Sequence, residues 1–550
     1  MAFDDIKDWV FTLFKKLSKK DLLRVVKAMR NHIEEQEQEI KEFKKENQKL
    51  KDQINQLKGA KGKPDVKPPK KDDKDDASGG GNGGGKGKNK NNRKGDKKSK
   101  INITRAVTVE IDKSKLPKDA EYKGTREIVI QDIKFELDNV KFVIPVYYSP
   151  SEGKSYEGEI PPEYKGSEFG PFIWALVKQL HFEGRIPQKV LWRMLKGMGI
   201  KISEGQINTI ILGDRGISLK NEMDDARDAA VEKQSYTQID DTGARVAGKN
   251  GATIAVVNDY MSYFFTNPSK NRLSAIDALT GGRRLCFCIN DIAIEYINDK
   301  ISNKTLVKRL QSMLSDRVYN ETEFEEEIIN APWLKGKIKS WRKHIKDGCA
   351  IGALRSDLMG PRSLILICDD APQFKGILEY IGLCWIHEIR HYKKLEPSHT
   401  DFKETLEGFL DEFWDFYDLL KNYKKRPGKR KKRKIEKWFD KLFTEQTSYF
   451  ALNHYKSKTF KKKASLLLVL DYPEIPLHNN ATELSVREKV VQRNIKHCFK
   501  TWHGAHINDL YLSIMATCRK IGISYSEFLK DRFFHKNEIP PLAQIIEIMP

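Results

Sequence analysis

Three acidic segments, far apart in the chain, carry side chains able to bind divalent metal ions. Asp240 and Asp241 come at the end of a strand-like run, and Asp369 and Asp370 end a second, strongly apolar run. Glu483 lies where a helix is predicted to begin. Carboxylates gathered at the mouth of a sheet can hold two metal ions about 4 Å apart, which activate a water or a 3′-hydroxyl in phosphodiester transfer. The sequence therefore predicts a metal site that acts on a nucleic acid.

The composition also favours a polyanionic partner. The chain has 550 residues, with 99 Lys and Arg against 77 Asp and Glu and a net charge of +22, a charge that fits nucleic acid or a membrane surface. No apolar run reaches the roughly 18 residues of a spanning helix, and the first residues lack the pattern of a signal peptide. The seven cysteines form no Cys-x-x-Cys pair, which is typical of a reducing cytoplasm. DNA is the predicted partner.

The N-terminal region, residues 1–58, is predicted to hold helices and a dimeric coiled coil. A heptad pattern runs from Ser18, a helix cap, to residue 58. The expected dimerisation residues are Ile33, Ile40, Phe43, Asn47, Leu50, Ile54 and Leu57. Asn47 at an a position favours a parallel, in-register homodimer. The alternative is a long amphipathic helix packed on its own protein.

Residues 59–232 are predicted to form three further regions. Lys, Gly and Asn dominate 59–103, which indicates a disordered linker. Alternation of apolar and polar residues over 104–165 predicts a small antiparallel β-unit. Region 166–232 is predicted to be helical. A first helix with one apolar face is expected to end near Gly199, and a capping box at Ser203 is expected to begin a second helix. The helix pair resembles a helix-turn-helix DNA-binding region; the alternative is a helical hairpin that binds nothing.

From Tyr236 the pattern becomes strand, strand, strand, helix, strand, helix, with a last strand at 364–368 and a helix at about 373–394. This is the order of a ribonuclease-H-like α/β core interrupted by helical insertions. The expected segments are 233–285 (first part of the core), 286–362 (helical insertion), 363–395 (second part of the core), 396–475 (basic helical insertion) and 476–550 (C-terminal helices with Glu483).

A dense basic run lies inside the second insertion. Its cationic residues are Lys424, Lys425, Arg426, Lys429, Arg430, Lys431, Lys432, Arg433 and Lys434. A solvated loop is the plain alternative. Because phosphates can neutralise so many cations, we predict contact with the DNA backbone, which positions the DNA without reading its sequence.

A rival interpretation comes from His387, Glu388 and His391, which spell His-Glu-x-x-His. On a helix the two histidines would face one side and could bind zinc, with the glutamate as base, as in a metalloprotease. Arg390 is an awkward neighbour for such a site, and no third ligand is evident downstream. This is the remote alternative.

Taken in order, the motifs resemble the insertion-sequence-66 family of bacterial DDE transposases over roughly residues 125–535. The motifs lie at 240–243, 369–374, 384–391 and 479–487, followed by Arg493 and the run 513–517. The family's Cys-rich segment has no counterpart in residues 101–170, so no zinc is predicted. His478 stands where the family usually has Asp, and Leu484 where it usually has Arg.

The resemblance implies a multidomain α/β protein with a ribonuclease-H-like DDE core. It implies metal-dependent cleavage at transposon ends and transfer of the 3′-OH into target DNA, with Asp240, Asp369 and Glu483 holding two Mg²⁺ ions for which Mn²⁺ can substitute. Asp241 and Asp370, the neighbours of the two aspartates, are the alternative ligands or groups that support the ligands. Expected partners are transposon and target DNA, a second copy of the chain and helper proteins, in a bacterial cytoplasm near the nucleoid. A co-opted DNA-binding relative without catalysis is the other alternative.

The C-terminal helix that opens at Glu483 also carries predicted DNA contacts. Arg487 lies one turn after Glu483 on the same helical face, where its guanidinium could hold a phosphate near the metals. Lys489 and Arg493 are the other DNA contacts expected on this helix.

Overall fold

The computed structural model describes residues 18–57, 102–109, 111–112, 116–117, 119–122, 124–282, 285–334, 339–358 and 364–550. These form two compact units, one built from Met1–Lys44 and Lys141–Pro550 and the other from Lys45–Val140. Apart from positions 102 and 103, the predicted linker lies outside the described residues. The protein is of the mixed α/β class, as predicted.

Five of the strands form one mixed sheet. The strands are β1 (Val146–Ser149), β2 (Lys154–Glu157), β3 (Tyr236–Val246), β4 (Lys249–Val257), β5 (Ser262–Asn267), β6 (Cys286–Cys288), β7 (Val318–Asn320), β8 (Ile365–Cys368) and β9 (Tyr380–Leu383). The sheet order is β5–β4–β3–β8–β9. β3, β4 and β5 pair antiparallel, whereas β8 is parallel to both β3 and β9. The carboxyl end of β8 therefore lies beside the middle of β3, because β8 pairs only with residues 236–238. The prediction that the first strand ends at Asp240 and Asp241 was wrong, since β3 continues to Val246.

The structure describes the following helices, some of which pack on the two faces of the sheet. They are α1 (Lys19–Leu57), α2 (Pro171–Lys178), α3 (Gln188–Gly197), α4 (Glu204–Leu212), α5 (Leu219–Lys233), α6 (Arg272–Leu279), α7 (Asp291–Lys300), α8 (Lys304–Gln311), α9 (Glu321–Phe324), α10 (Lys339–Leu358), α11 (Trp385–Lys393), α12 (Thr400–Lys425), α13 (Lys429–Thr444), α14 (Phe450–Phe460), α15 (Lys463–Leu466), α16 (Asn480–Lys496), α17 (Trp502–Lys520), α18 (Tyr525–Phe533) and α19 (Leu542–Ile548). Among the described residues, none of them has the length and apolar character needed to cross a bilayer.

Side-chain alternation along the strands separates two hydrophobic cores. Ile365 and Ile367 of β8 pack with α11 to α15, whereas Leu366 and Cys368 face the core that contains α5, α10 and α17. All four residues of β8 are buried. A strand covered on both faces must be apolar throughout, which is why this run was recognisable in the sequence.

The three strands predicted from Tyr236 onwards and the strand predicted at 364–368 are present as β3, β4, β5 and β8, but the predicted helix at 373–394 is partly wrong. Its first part is a series of turns followed by strand β9, and α11 begins only at Trp385. β9 has four residues, and a short apolar run does not distinguish strand from helix. Gly382 permits the close pairing, because a Cβ there would lie 2.6 Å from the Ile367 side chain.

Two other predictions of local structure need correction. In the described residues of the predicted β-unit at 104–165, strand pairing is limited to the hairpin β1–β2, and the alternating residues Val107 and Val109 are 73% and 89% exposed. A lone hairpin buries too little apolar surface to organise a larger sheet. The predicted helical insertion at 286–362 also contains the antiparallel pair β6–β7.

The helix pair predicted within 166–232 is confirmed as α3 and α4. Gly199 has a φ of 90° just after α3, a conformation that glycine adopts without strain. The Ser203 side chain accepts a hydrogen bond from the backbone NH of Gln206, and Gln206 completes the predicted capping box. DNA reading by this pair stays a prediction.

The predicted N-terminal helix is present as α1, and it contacts the second insertion through a polar face. Glu34 is 2% exposed and accepts hydrogen bonds from the backbone NH of Ser398 at 2.9 Å and from the hydroxyl of Tyr449 at 3.2 Å. Arg30 pairs with Asp401 at 2.7 Å. The heptad residues Ile33, Ile40, Phe43 and Leu50 remain exposed. The side chains of Asn47, Ile54 and Leu57 lie outside the described residues.

Candidate active site

The three predicted ligands come from two central strands and the start of a helix. Asp240 is on β3, Asp369 directly follows β8, and Glu483 is in the first turn of α16. In the parallel pairing, Gln238 lies opposite Ile367. Asp240 and Asp369 each come two residues later, so they lie side by side just past the end of β8.

Asn479 attaches the start of α16 to the strand that carries Asp240. Its side chain is fully buried and donates a hydrogen bond to the carbonyl of Ile239 at 3.0 Å. The backbone NH of Asn479 donates to the Cys384 sulfur at 3.2 Å. Sequence reasoning used Asn479 as part of a motif but did not foresee this role. The signal was an Asn next to a helix start, a residue type that often bonds to nearby backbone.

Burial and mutual repulsion dominate the electrostatics of Asp240 and Asp369. Burial, with smaller contributions from the neighbouring Asp369, Asp241 and Glu483 carboxylates, raises the pKa of Asp240 to about 7, although a hydrogen bond from the NH of Asp241 opposes the shift. Burial also raises the pKa of Asp369. A raised carboxyl pKa means that ionisation is costly until a cation approaches.

The second acid of each pair is already bound to cations. Asp241 pairs with Lys270 at 2.5 Å and accepts a hydrogen bond from the Gln373 amide at 2.7 Å. Asp370 pairs with Lys375 at 2.8 Å and lies 3.4 Å from Lys462. Lys270 stands in no recognised motif, and Gln373 lies in the motif at 369–374. Both contacts were missed because they join residues distant in sequence.

Glu483 also has basic partners, both on α11. The Arg390 guanidinium contacts the two Glu483 carboxylate oxygens at 3.2 Å each. His387 Nε2 lies 3.5 Å from Glu483 and 3.0 Å from Arg390. Burial and the nearby Arg390 charge lower the pKa of His387.

The structure does not support the zinc interpretation of α11. Glu388, the supposed base, is buried and bound to Lys462 and the Thr459 hydroxyl. His387 faces Glu483, whereas the His391 ring stacks on Tyr455 with centroids 6.0 Å apart. The two histidines therefore contact different parts of the protein.

In the part of the chain that the structure describes, no three His, Cys, Asp or Glu side chains lie close enough together to hold a metal ion. The carboxylates still influence one another, since Asp369 and Glu483 raise the pKa of Asp240. The carboxylates stay apart because like charges repel when no counter-ion lies between them, and because Arg390 holds Glu483. Carboxylate oxygens are the ligands that Mg²⁺ and Mn²⁺ prefer, so the donor set fits these ions.

The predicted DNA contacts on α16 have different environments. Arg487 is exposed. Arg493 donates to the carbonyl of Gly243 and lies 3.3 Å from the Thr242 hydroxyl, so it also contacts the end of β3. Lys489 was wrong as a DNA contact, because it is 3% exposed and forms an ion pair with Asp509 inside the protein.

The basic run spans the end of α12 and the first turns of α13. Three of its members have partners inside the protein: Lys424 donates to the carbonyl of Ile475, Lys431 donates to the carbonyl of Arg426, and Lys432 pairs with Asp471. DNA contact by these residues stays a prediction. The exposed members are Lys425, Arg426, Lys429, Arg430, Lys431, Arg433 and Lys434.

Asp240 on β3, Asp369 after β8 and Glu483 on α16 supply three carboxylates, a donor type that holds the divalent ions used in catalysis. Residues 365–507 match the family model described as Transposase IS66 family, so this region is similar to the transposase domain of that family. The match includes Asp369 and Glu483, whereas Asp240 precedes it.

One curated relative extends the similarity beyond this domain. The uncharacterized protein y4jO of Sinorhizobium fredii (strain NBRC 101917 / NGR234) is 29% identical over 323 residues, which cover 58% of this chain and 98% of that protein. No solved structure matches this chain.

Proposed function

We propose that this protein is a DDE transposase that cleaves DNA at transposon ends and joins the freed 3′-OH to target DNA. The attachment of α16 to β3 through Asn479 carries the proposal, because it brings Glu483 towards Asp240 and Asp369. The strand order, with β3 central and parallel to β8, is that expected of a ribonuclease-H-like core. A transposase family match over 365–507 supports the same function.

Asp240, Asp369 and Glu483 would hold two Mg²⁺ ions, for which Mn²⁺ can substitute. When bound, the ions supply a water or 3′-hydroxyl nucleophile at neutral pH and neutralise charge on the phosphate. Lys270 and Lys375 pair with Asp241 and Asp370, whereas Asp240 and Asp369 have no such ion pair among the described residues, which supports Asp240 and Asp369 as the direct ligands. Exposed Arg487 would hold a phosphate one helical turn from Glu483.

The proposal is tested with labelled DNA that carries the element's own ends. Cleavage and joining are expected with Mg²⁺ or Mn²⁺, lost in EDTA and restored when metal is returned. DNA binding without any product in either metal would instead favour the non-catalytic, co-opted relative or a missing helper protein. In a bacterial cell the protein would act in the cytoplasm on nucleoid DNA.

The exposed part of the basic run would bind the DNA backbone. Replacing Lys429, Arg430, Arg433 and Lys434 by Gln is expected to reduce the slope of log Kd against log salt by about three to four, since each phosphate contact contributes about 0.9. The measurement is fluorescence anisotropy over a salt series. Lys304→Gln with Lys308→Gln, exposed on α8 in the first insertion, is the control. An unchanged slope in the α13 variant would refute the contact.

The protein would act as a homodimer joined through α1. This helix contacts its own chain through Glu34 and Arg30 and leaves Ile33 and Ile40 exposed at a positions. Replacing both isoleucines by Glu is expected to turn the dimer into a monomer in analytical ultracentrifugation, because charges in an a/d stripe oppose pairing. Lys27→Glu adds the same side chain at an exposed position outside the stripe and should leave the dimer intact. A monomeric parent would contradict the proposal.

A further inference from the structure

The contact between Arg390 and Glu483 joins a cation to a proposed metal ligand. The guanidinium reaches both carboxylate oxygens at 3.2 Å, the forked arrangement that Arg and carboxylates form. His387 Nε2 lies 3.0 Å from the same guanidinium nitrogen. The positive charge of Arg390 therefore faces the carboxylate that a metal ion would need.

The exposure of the pair suits a reversible contact. The Arg390 side chain is 46% exposed and that of Glu483 25%. Ion pairs in such contact with water contribute little stability, because solvent screens the attraction. A divalent ion that also binds neighbouring carboxylates can therefore displace the guanidinium.

The helix that carries Arg390 is itself firmly held. Trp385 is 1% exposed and donates to the carbonyl of Leu466 at 3.0 Å. Glu388 is buried against Lys462. The backbone of α11 is thus fixed on both sides of His387, and only the long Arg390 side chain has room to move.

We propose that Arg390 is an electrostatic latch on the third carboxylate. In the metal-free protein it holds Glu483; when a divalent ion takes this carboxylate, the guanidinium is released at the mouth of the site and binds a DNA phosphate. The inference rests on the proposed function and deepens it. It assigns Arg390 a positioning role before metal binding and a contact with the DNA backbone afterwards.

Calorimetric titration of Mn²⁺ into the full chain, without DNA, tests the latch. Arg390→Gln is expected to tighten Mn²⁺ binding about two- to fivefold, because the ion no longer competes with an exposed ion pair. The same substitution in a Glu483→Gln background should have no effect on Mn²⁺ affinity, since the latch has lost its partner. Lys308→Gln, which removes an exposed cation on α8 of the first insertion, is the control and should leave Mn²⁺ affinity unchanged.

The second half of the proposal concerns DNA. With Ca²⁺ as the divalent ion, which has the same preference for oxygen ligands, Arg390→Gln is expected to weaken binding of an end-sequence duplex about tenfold, as loss of a charge-assisted phosphate contact does. In EDTA the substitution should change DNA affinity little, because the parent's guanidinium is still engaged with Glu483.

The possible results separate the two proposals. Unchanged or weaker Mn²⁺ binding by Arg390→Gln, with normal binding by the parent, overturns the latch and leaves the transposase proposal standing. A parent that binds no Mn²⁺ overturns both. Circular dichroism melting of each variant verifies that it is folded before titration.

Discussion

Replacing any one of Asp240, Asp369 or Glu483 by its amide is expected to lower DNA cleavage and strand transfer by at least about a thousandfold. Each substitution removes a negative ligand from a two-metal site, and metal stabilisation of the transition state contributes several kcal/mol, where each factor of ten in rate corresponds to about 1.4 kcal/mol. The amides keep the shape of the side chains, so the fold should persist. Product formation on labelled transposon-end DNA is the measurement.

Asp370→Asn is the matched control for this loss of activity. Asp370 is next to Asp369 but pairs with Lys375 and lies 3.4 Å from Lys462. Its amide should reduce activity about tenfold or less, because it removes an ion pair at a partly exposed site rather than a ligand. DNA binding by every variant should stay near that of the parent. A fully active Asp369→Asn beside an inactive Asp370→Asn would reverse the assignment of ligands at this strand.

The strands and helix starts of the site were predictable because their signals are local. The buried run of β8 and the capping box at Ser203 each depend on a few consecutive residues. The apolar run located the end of β8, next to Asp369, whereas β3 continues past Asp240 to Val246, which the sequence did not indicate. The pattern of apolar residues could place these aspartates on or next to strands, but it could not identify the residues that form ion pairs or hydrogen bonds with them.

The contacts that were missed join residues distant in sequence. Arg390 and Glu483 are 93 positions apart, and Lys270 reaches Asp241 from the loop after β5. The sequence shows that a residue next to a motif is basic, but it does not show which carboxylate that residue pairs with in the folded protein. The same limit explains Lys489, because its neighbours on α16 suggested a DNA-binding face, whereas α17 supplied a buried acid.

The corrected role of Lys489 leads to a large expected effect on stability. Its side chain is 4% exposed and that of Asp509 3%. Asp509 also accepts a hydrogen bond from the backbone NH of Thr266 on β5, at 2.7 Å. The pair therefore joins α16, α17 and the edge strand of the sheet. Removing one member leaves a buried charge without its partner, which costs about 3–5 kcal/mol.

Lys489→Met should accordingly lower the free energy of unfolding of this part of the protein by about 3–5 kcal/mol. Hydrogen–deuterium exchange of β5 and α17 peptides over a urea series measures the change. Arg487→Met, on the exposed side of the same helix, should alter stability by less than about 0.5 kcal/mol while weakening DNA binding. The double variant Lys489→Met, Asp509→Asn should recover part of the loss, because it removes the unpaired charge. If Lys489→Met instead weakened DNA binding and left exchange unchanged, Lys489 would be a DNA contact after all.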